Sequence, residues 1–153
     1  MSRYTIASGS ILGSAHARLY RNNQDGLALA ATDEVLVAVV TDGCSSAPRS
    51  EVGAQLGARF LAQHLPTLAV TCETTQEMLQ KARNELLAFI ETSAKVLFPG
   101  GADLAAPVHE FFLFTIICAV VTPKKAVVFG LGDGVYAING TPTVLDPGPD
   151  NAP

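Results

Sequence analysis

The sequence predicts an α+β fold in which antiparallel sheets and helices form separate layers. Strand-like segments fall into two groups with two helical segments between them, so the predicted order is β-β-β-α-α-β-β-β. Neighbouring helices between groups of strands favour this arrangement over a doubly wound parallel sheet, in which strands and helices alternate. Of the 153 residues, 48% are hydrophobic, which is enough for a buried core. We therefore expect one domain over residues 1–146 and an irregular tail over 147–153.

Three strands are predicted before the helices. Residues 3–12 alternate weakly between apolar and polar types and predict an opening strand, which an Asn-rich loop over 13–25 follows. Gly26–Ala31 and Val35–Val40 flank a Thr-Asp-Glu turn signal and predict two further strands. Because Val35–Val40 is an uninterrupted apolar run, we expect that strand to be buried on both faces.

The first predicted helix begins at Ser46 or Ala47, with Pro48 in its first turn. Apolar residues then recur at helical spacing to about Leu65, and Pro66 is expected to end the helix.

The second predicted helix begins at Thr74 or Thr75, either of which can cap it, and runs to about Leu97.

In the first helix, Gly53 and Gly57 lie four residues apart and predict close packing against a sheet or a neighbouring helix.

The second group of strands follows a Gly/Pro/Ala-rich loop over residues 99–108. Strands are predicted over 110–122, 125–131 and 134–139, and the Asn-Gly pair that follows them is a strong hairpin signal. A short strand over 142–145 completes that hairpin.

Composition excludes several functional classes. The formal net charge of −4 gives no electrostatic support for nucleic-acid binding. The longest apolar stretch, residues 111–121, is about half the length needed to span a bilayer, so no membrane partner is expected. No secretory signal opens the chain and the three cysteines form no CxxC pair, so we expect a reducing, cytoplasmic setting.

Three aspartates lie in turns beside predicted strands. Asp42 and Gly43 end the Val-rich strand, Asp133 lies between two glycines after a later strand, and Asp25 precedes an earlier one. Glycine permits sharp turns, and carboxylates on such turns are oxygen ligands suited to a hard cation. The alternative interpretations are an ordinary strand-ending turn at Asp42, a plain hairpin at Asp133 and a solvated loop position for Asp25.

These turns and their surroundings resemble the PPM/PP2C metal-dependent serine/threonine phosphatases, most closely the bacterial PP2C-like branch. The resemblance covers about residues 5–146 and rests on Gly13-x-x-His16, Asn23-Gln24-Asp25, Val39-Val40-Thr41-Asp42-Gly43 and Gly132-Asp133-Gly134. It implies a β-sandwich flanked by helices, with two Mg²⁺ or Mn²⁺ ions at one end.

The resemblance also implies a role for each residue of the metal site. Asp42 matches the carboxylate that bridges the two metals, and Gly43 matches the residue that lends a backbone carbonyl. Asp25 and Gln24 match the pair that contacts the second metal, directly or through water. Asp133 matches a position associated with a further, weaker metal site.

The implied activity is hydrolysis of phosphoserine or phosphothreonine in a phosphoprotein substrate by metal-activated water. A nearby arginine holds the substrate phosphate in this family, and Arg21 or Arg18 matches that role here.

Three departures from the family pattern support a rival hypothesis. Gln24 replaces a usual carboxylate, Cys44-Ser45 replaces a usual His-Gly, and the family's further metal-binding aspartates and closing strands lie beyond this sequence. The rival is a catalytically inactive, truncated module for partner binding, with a homodimer or a missing C-terminal half as the expected partner. An unrelated α+β small-molecule binder is a third interpretation.

Three other possible functional motifs in the sequence are less specific. Cys44 is followed by Arg49 after four residues, whereas the cysteine-phosphatase loop needs five, so we expect a small turn residue at Cys44. The glycines at 130, 132 and 134 do not match the dinucleotide fingerprint. His16 lies within the family-like stretch, where a phosphate-binding or supporting role is the alternative to a plain loop residue.

Overall fold

The computed structural model describes residues 4–101 and 103–146, which form four α-helices and six β-strands. In chain order these are α1 (Ser14–Arg18), β1 (Gly26–Ala31), β2 (Leu36–Gly43), α2 (Ser50–Thr71), α3 (Thr75–Leu97), α4 (Ala105–Phe111), β3 (Phe114–Val121), β4 (Ala126–Leu131), β5 (Gly134–Ile138) and β6 (Thr141–Leu145). The predicted α+β class is confirmed, although the order of elements differs. The predicted tail over 147–153 lies outside the described residues.

Strands β1 to β4 form one antiparallel sheet in sequential order. Val39 at the centre of β2 lies opposite Ala28 on β1 and Cys118 on β3. Strands β5 and β6 form a separate two-stranded hairpin. Its turn residues Asn139 and Gly140 have φ values of 52° and 81°, the left-handed conformations that an Asn-Gly hairpin turn requires. The hairpin prediction is therefore confirmed.

One face of the four-stranded sheet packs against α2, and α3 packs against α2 in turn. Val37 and Val39 on β2 and Leu65 on α2 are fully buried in this interface. Burying each such side chain contributes about 1.5–3 kcal/mol, so this layer supplies the main apolar stabilisation of the fold.

The opposite face of the sheet is open. Leu29 on β1 and Val40 on β2 point away from the helical layer, and 40% and 50% of their surfaces are exposed. Burial along β2 alternates with a period of two, as expected for a strand with one covered face. The prediction that Val35–Val40 is buried on both faces is therefore wrong.

The β5–β6 hairpin reaches this open face at one end only. A Cβ atom at Gly134 would overlap the Ile117 side chain, and a Cβ at Gly130 would overlap the Leu145 side chain. The absence of side chains at these glycines therefore allows the hairpin to touch the sheet. Among the described residues, this hairpin stands where the expected sandwich places a second sheet.

Three predictions for the segments outside the main strands and helices are wrong. Neither sheet includes any of residues 4–12 of the described chain, because an alternating segment becomes a strand only where a neighbouring strand pairs with it. Helix α1 lies within the predicted loop over 13–25, and α4 begins within the predicted loop over 99–108.

Pro66 does not end α2, which continues to Thr71. Pro66 lacks the N–H that would reach the Ala62 carbonyl, which normally disfavours a helix interior. Leu65 and Leu68 on either side are buried in the core, so tertiary packing holds this segment helical. At its other end α2 begins at Ser50, later than predicted.

Helix α3 begins as predicted. The Thr74 hydroxyl accepts a hydrogen bond from the Glu77 backbone N–H at 3.1 Å, and the Glu77 carboxylate accepts one from the Glu73 N–H at 3.0 Å. This reciprocal arrangement is a capping box in which the backbone donor to Glu77 is Glu73, one residue before the N-cap Thr74. None of the described helices combines the length and hydropathy needed to cross a bilayer.

The close packing predicted for Gly53 and Gly57 is confirmed. A Cβ at Gly53 would overlap the Phe111 carbonyl oxygen and lie 2.7 Å from the Phe112 Cα, whereas a Cβ at Gly57 would meet the end of the Phe114 ring at 2.5 Å. Backbone cannot move away as easily as a ring, so Gly53 is the stricter requirement.

We expect Gly53→Ala to lower the free energy of unfolding by about 1–3 kcal/mol, the usual cost of overpacking. This loss outweighs the gain of about 1 kcal/mol that alanine normally brings to a helix interior. Urea unfolding followed by circular dichroism measures it. Gln55→Ala, at an exposed position of α2, is the control and should leave stability unchanged. A Gly53→Ala midpoint equal to or above wild type would contradict the close contact.

Candidate functional site

A cavity of about 350 Å³ lies at the end of the sheet where β2 stops and β3 starts. We call it the carboxylate cavity, because all four predicted metal-site residues line it: Asp25, Asp42, Gly43 and Asp133. His16 on α1 and Thr115 on β3 also line it, as do Gln24, Cys44, Ser45, Leu113, Phe114 and Gly132.

Strand register explains why these carboxylates meet. Gly26 on β1 pairs with Thr41 on β2, so Asp25 and Asp42 are the next residues along the same pair of strands. Asp42 in turn lies opposite Thr115. The turn that carries Asp133 follows β4, which pairs with β3 beside Thr115. Antiparallel pairing thus gathers residues that are far apart in the sequence at one end of the sheet.

Glycine at position 43 allows β2 to end against the Gln24 segment. The Gly43 N–H donates to the Gln24 carbonyl at 3.2 Å. A Cβ at Gly43 would lie 2.6 Å from that same oxygen and 2.7 Å from the Ser50 hydroxyl. The buried Thr41 hydroxyl donates to the Ala54 carbonyl at 2.8 Å and holds the strand end against α2.

Gln24 is a structural residue at the base of the cavity. Its side chain is 5% exposed, and its Nε2 donates to the Ala47 carbonyl at 3.1 Å and to the Ser50 hydroxyl at 2.8 Å. The Ser50 hydroxyl donates to the Cys44 carbonyl at 2.9 Å. An ionised carboxylate could not donate these two hydrogen bonds, which explains why an amide fits position 24 better than a carboxylate. Its Oε1 has no hydrogen-bond partner among the described residues.

Negative charge is concentrated at Asp42. Partial burial raises the pKa of Asp42, and the charges of Asp25 and Asp133 raise it further, while His16 acts in the opposite direction. A cation bound between these carboxylates would relieve their repulsion.

The donor set fits a hard cation in its chemistry, because carboxylate and carbonyl oxygens are the ligands such ions prefer. Within residues 4–101 and 103–146, no three His, Cys, Asp or Glu side chains are grouped closely enough to hold a metal by themselves. The carboxylates therefore supply charge, and the remaining ligands would have to come from backbone oxygens or water.

Arg21, the predicted phosphate-binding residue, lies beside the carboxylate cavity. It lines an adjoining cavity of about 380 Å³, whose wall also includes Gln24. The Arg21 Nη1 donates to the Ser45 carbonyl at 3.5 Å, and Ser45 lines the carboxylate cavity. The guanidinium group thus stands at the boundary between the two. Arg18, the alternative candidate, lies in the last turn of α1 and lines neither cavity.

The cysteines differ in their surroundings. Cys44 lines the carboxylate cavity with its Sγ 3.0 Å from the Ser46 hydroxyl, and that contact lowers the pKa of the Cys44 thiol. Burial in the core raises the pKa of Cys118 to about 12, so that thiol stays protonated.

Sequence reasoning left His16 open and did not identify Thr115 at all. Both line the cavity. Thr115 could be found only by aligning β3 with β2, because the register places it opposite Asp42.

Residues 12–151 match the sequence profile of the family described as Protein phosphatase 2C. A comparison with curated proteins finds no match.

We expect Asp42→Asn to stabilise the chain at pH 7 in the presence of EDTA. Folding raises the pKa of Asp42, so the ionised carboxylate costs the folded state stability at any pH well above the ordinary value of about 4. Because the group is partly exposed, the gain should be only a few tenths of a kcal/mol.

The gain should vanish near pH 3, where Asp42 is protonated in both folded and unfolded chains. Urea midpoints at the two pH values measure it. Asp33→Asn, in the exposed turn at the far end of β2, is the matched control. A less stable Asp42→Asn chain at pH 7 would show that the carboxylates do not repel one another.

Proposed function

The chain belongs to the protein phosphatase 2C family, and from this we propose that it hydrolyses phosphoserine or phosphothreonine in proteins with the help of Mg²⁺ or Mn²⁺. We assign the activity to a single domain over residues 1–146. The convergence of Asp25, Asp42 and Asp133 on one cavity carries the proposal.

Asp42 and Asp25 would hold the metal ions, together with the Gly43 carbonyl, and Asp133 would serve a further ion. Bound there, a pair of such ions lowers the pKa of a coordinated water and polarises the phosphoryl oxygens. The raised pKa of Asp42 supports this assignment, because a site that disfavours clustered charge favours a bound cation.

Arg21 would orient the substrate phosphate. Its planar guanidinium group can donate two parallel hydrogen bonds to phosphate oxygens, and its contact with the Ser45 carbonyl places it at the edge of the carboxylate cavity. Leu113 and Phe114 form an apolar part of the cavity wall.

The open face of the sheet favours a second candidate function, a binding module that associates through this face. Leu29 and Val40 are exposed there in a row of apolar strand residues. Exposed contiguous apolar surface often marks an interaction site. A second copy of the chain is the partner we propose for this function, and a further segment of the protein is the alternative occupant.

We expect the purified chain to hydrolyse p-nitrophenyl phosphate in the presence of Mn²⁺. We expect this hydrolysis to stop when EDTA is added. Asp42→Ala should lower the rate at least 100-fold and abolish Mn²⁺ binding in calorimetry, because it removes the central carboxylate of the site. The control is Asp33→Ala, which removes the same charge from the turn at the opposite end of β2 and should keep full activity.

Turnover that survives both EDTA and Asp42→Ala would contradict the metal site. A folded chain with no turnover and unchanged Mn²⁺ binding in Asp42→Ala would favour the binding module.

For that second function, light scattering at micromolar concentration should give about twice the chain mass of 16.0 kDa. Leu29→Lys places a charge on the open face and should give the monomer mass, since an unpaired charge is costly at an interface. Val96→Lys, on the exposed side of α3, is the control and should leave the mass unchanged. A monomer at all concentrations would rule out the dimer.

A further inference from the structure

The cavity that contains Arg21 adjoins the carboxylate cavity and shares one wall residue with it. Gln24 lines both, and Arg21 lines the second while it contacts the Ser45 carbonyl of the first. We call the second one the arginine cavity. Its wall also includes Arg49, Asn22 and Glu51.

The two cavities differ in the charged side chains that line them. Arg21 and Arg49 both line the arginine cavity, and because Arg21 at its edge is assigned to the substrate phosphate, Arg49 is the positive charge left for a neighbouring group. Glu51 also lines the cavity, and its carboxylate accepts a hydrogen bond from the Asn22 amide at 3.0 Å. The carboxylate cavity holds three aspartates. In a chain with a net charge of −4, two arginines in one wall distinguish the arginine cavity from the acidic cavity beside it.

Arg49 is available to a ligand. Its guanidinium group pairs with Glu110 and lies 5.5 Å from the centre of the Phe111 ring. The Arg49 side chain is 59% exposed. An ion pair at such a position contributes about 0–1 kcal/mol, so an incoming anion can compete with Glu110.

The start of α2 adds to this attraction. Arg49 and Glu51 flank Ser50, the first residue of the helix, and both line the arginine cavity. No side chain of the described residues caps this helix start. The positive end of the helix dipole therefore reinforces the two arginines.

We propose that the arginine cavity is a subsite for an acidic side chain that flanks the phosphorylated residue of the substrate. The proposal rests on the phosphatase function proposed above and names the class of phosphoprotein that function would favour. An extended peptide advances about 3.3 Å per residue, so a residue only a few positions from the phosphorylated one can reach the adjoining cavity.

Phosphothreonine peptides provide the test. The peptides carry one aspartate, alanine or lysine at each position within three residues of the phosphothreonine, and kcat/KM is measured with Mn²⁺. At one of these positions we expect aspartate to be favoured about fivefold over alanine, the effect of roughly 1 kcal/mol, and lysine to be disfavoured. The preference should shrink when salt is raised from about 0.05 M to about 0.5 M, because salt screens exposed charges.

Arg49→Gln should bring the aspartate-to-alanine ratio close to one. The ratio compares two peptides on the same enzyme, so a general loss of folding or activity does not imitate this result. Arg59→Gln removes the same charge from an exposed position further along α2 and should keep the wild-type ratio.

The outcomes separate this subsite from the phosphatase function. Hydrolysis of p-nitrophenyl phosphate and of all peptides without any preference for aspartate would overturn the subsite alone. Absence of all hydrolysis would count against the proposed function, and the subsite is then tested by fluorescence anisotropy of labelled peptides in EDTA. Tighter binding of the aspartate peptide that Arg49→Gln removes supports the subsite, and equal binding of all peptides overturns it.

Discussion

The close approach of β1 and β2 to the start of α2 is the constraint on which the site depends. The Thr41 hydroxyl donates to the Ala54 carbonyl. Glycines at 26 and 43 place no side chain at the two closest points, where a Cβ would overlap the Ala54 carbonyl or the Ser50 hydroxyl. Asp25 and Asp42 directly precede those two glycines. The two glycines that allow the sheet to approach α2 therefore also fix the positions of the two carboxylates beside them.

The clustered carboxylates cost the folded chain stability when they are ionised. Carboxylates in a partly buried cavity repel one another. The Gln24 amide, next to Asp25 in the chain, is fixed by hydrogen bonds to the Ala47 carbonyl and the Ser50 hydroxyl. The buried amide is neutral, so it organises the base of the cavity without adding to the charge. Groups that repel one another keep their positions only where many surrounding contacts fix them, and this is typical of functional sites.

Much of the fold could be predicted from local patterns. β1, the capped start of α3 and the Asn-Gly hairpin carry their signals within a few residues. The predicted opening strand is wrong because alternation does not reveal whether a partner strand exists. The predicted end of α2 is wrong because the burial of residues around Pro66 outweighs the tendency of proline to break a helix. For the site, the motifs identified the aspartates, but Thr115 and the structural role of Gln24 depend on register and burial, which no local pattern encodes.

The limited contact between the β5–β6 hairpin and the sheet has a consequence for Asp133. The hairpin touches the sheet at Gly134 and Leu145, and Gly132 and Gly134 on either side of Asp133 have φ values of 88° and 146°. Small contact area allows a unit to open on its own, below the free energy of global unfolding. Asp133 lies in the short connection between the sheet and this hairpin, and we expect hydrogen exchange to show β5 and β6 to be less protected than β2. Opening of the hairpin would therefore move the third carboxylate away from the other two and lower the negative charge in the carboxylate cavity.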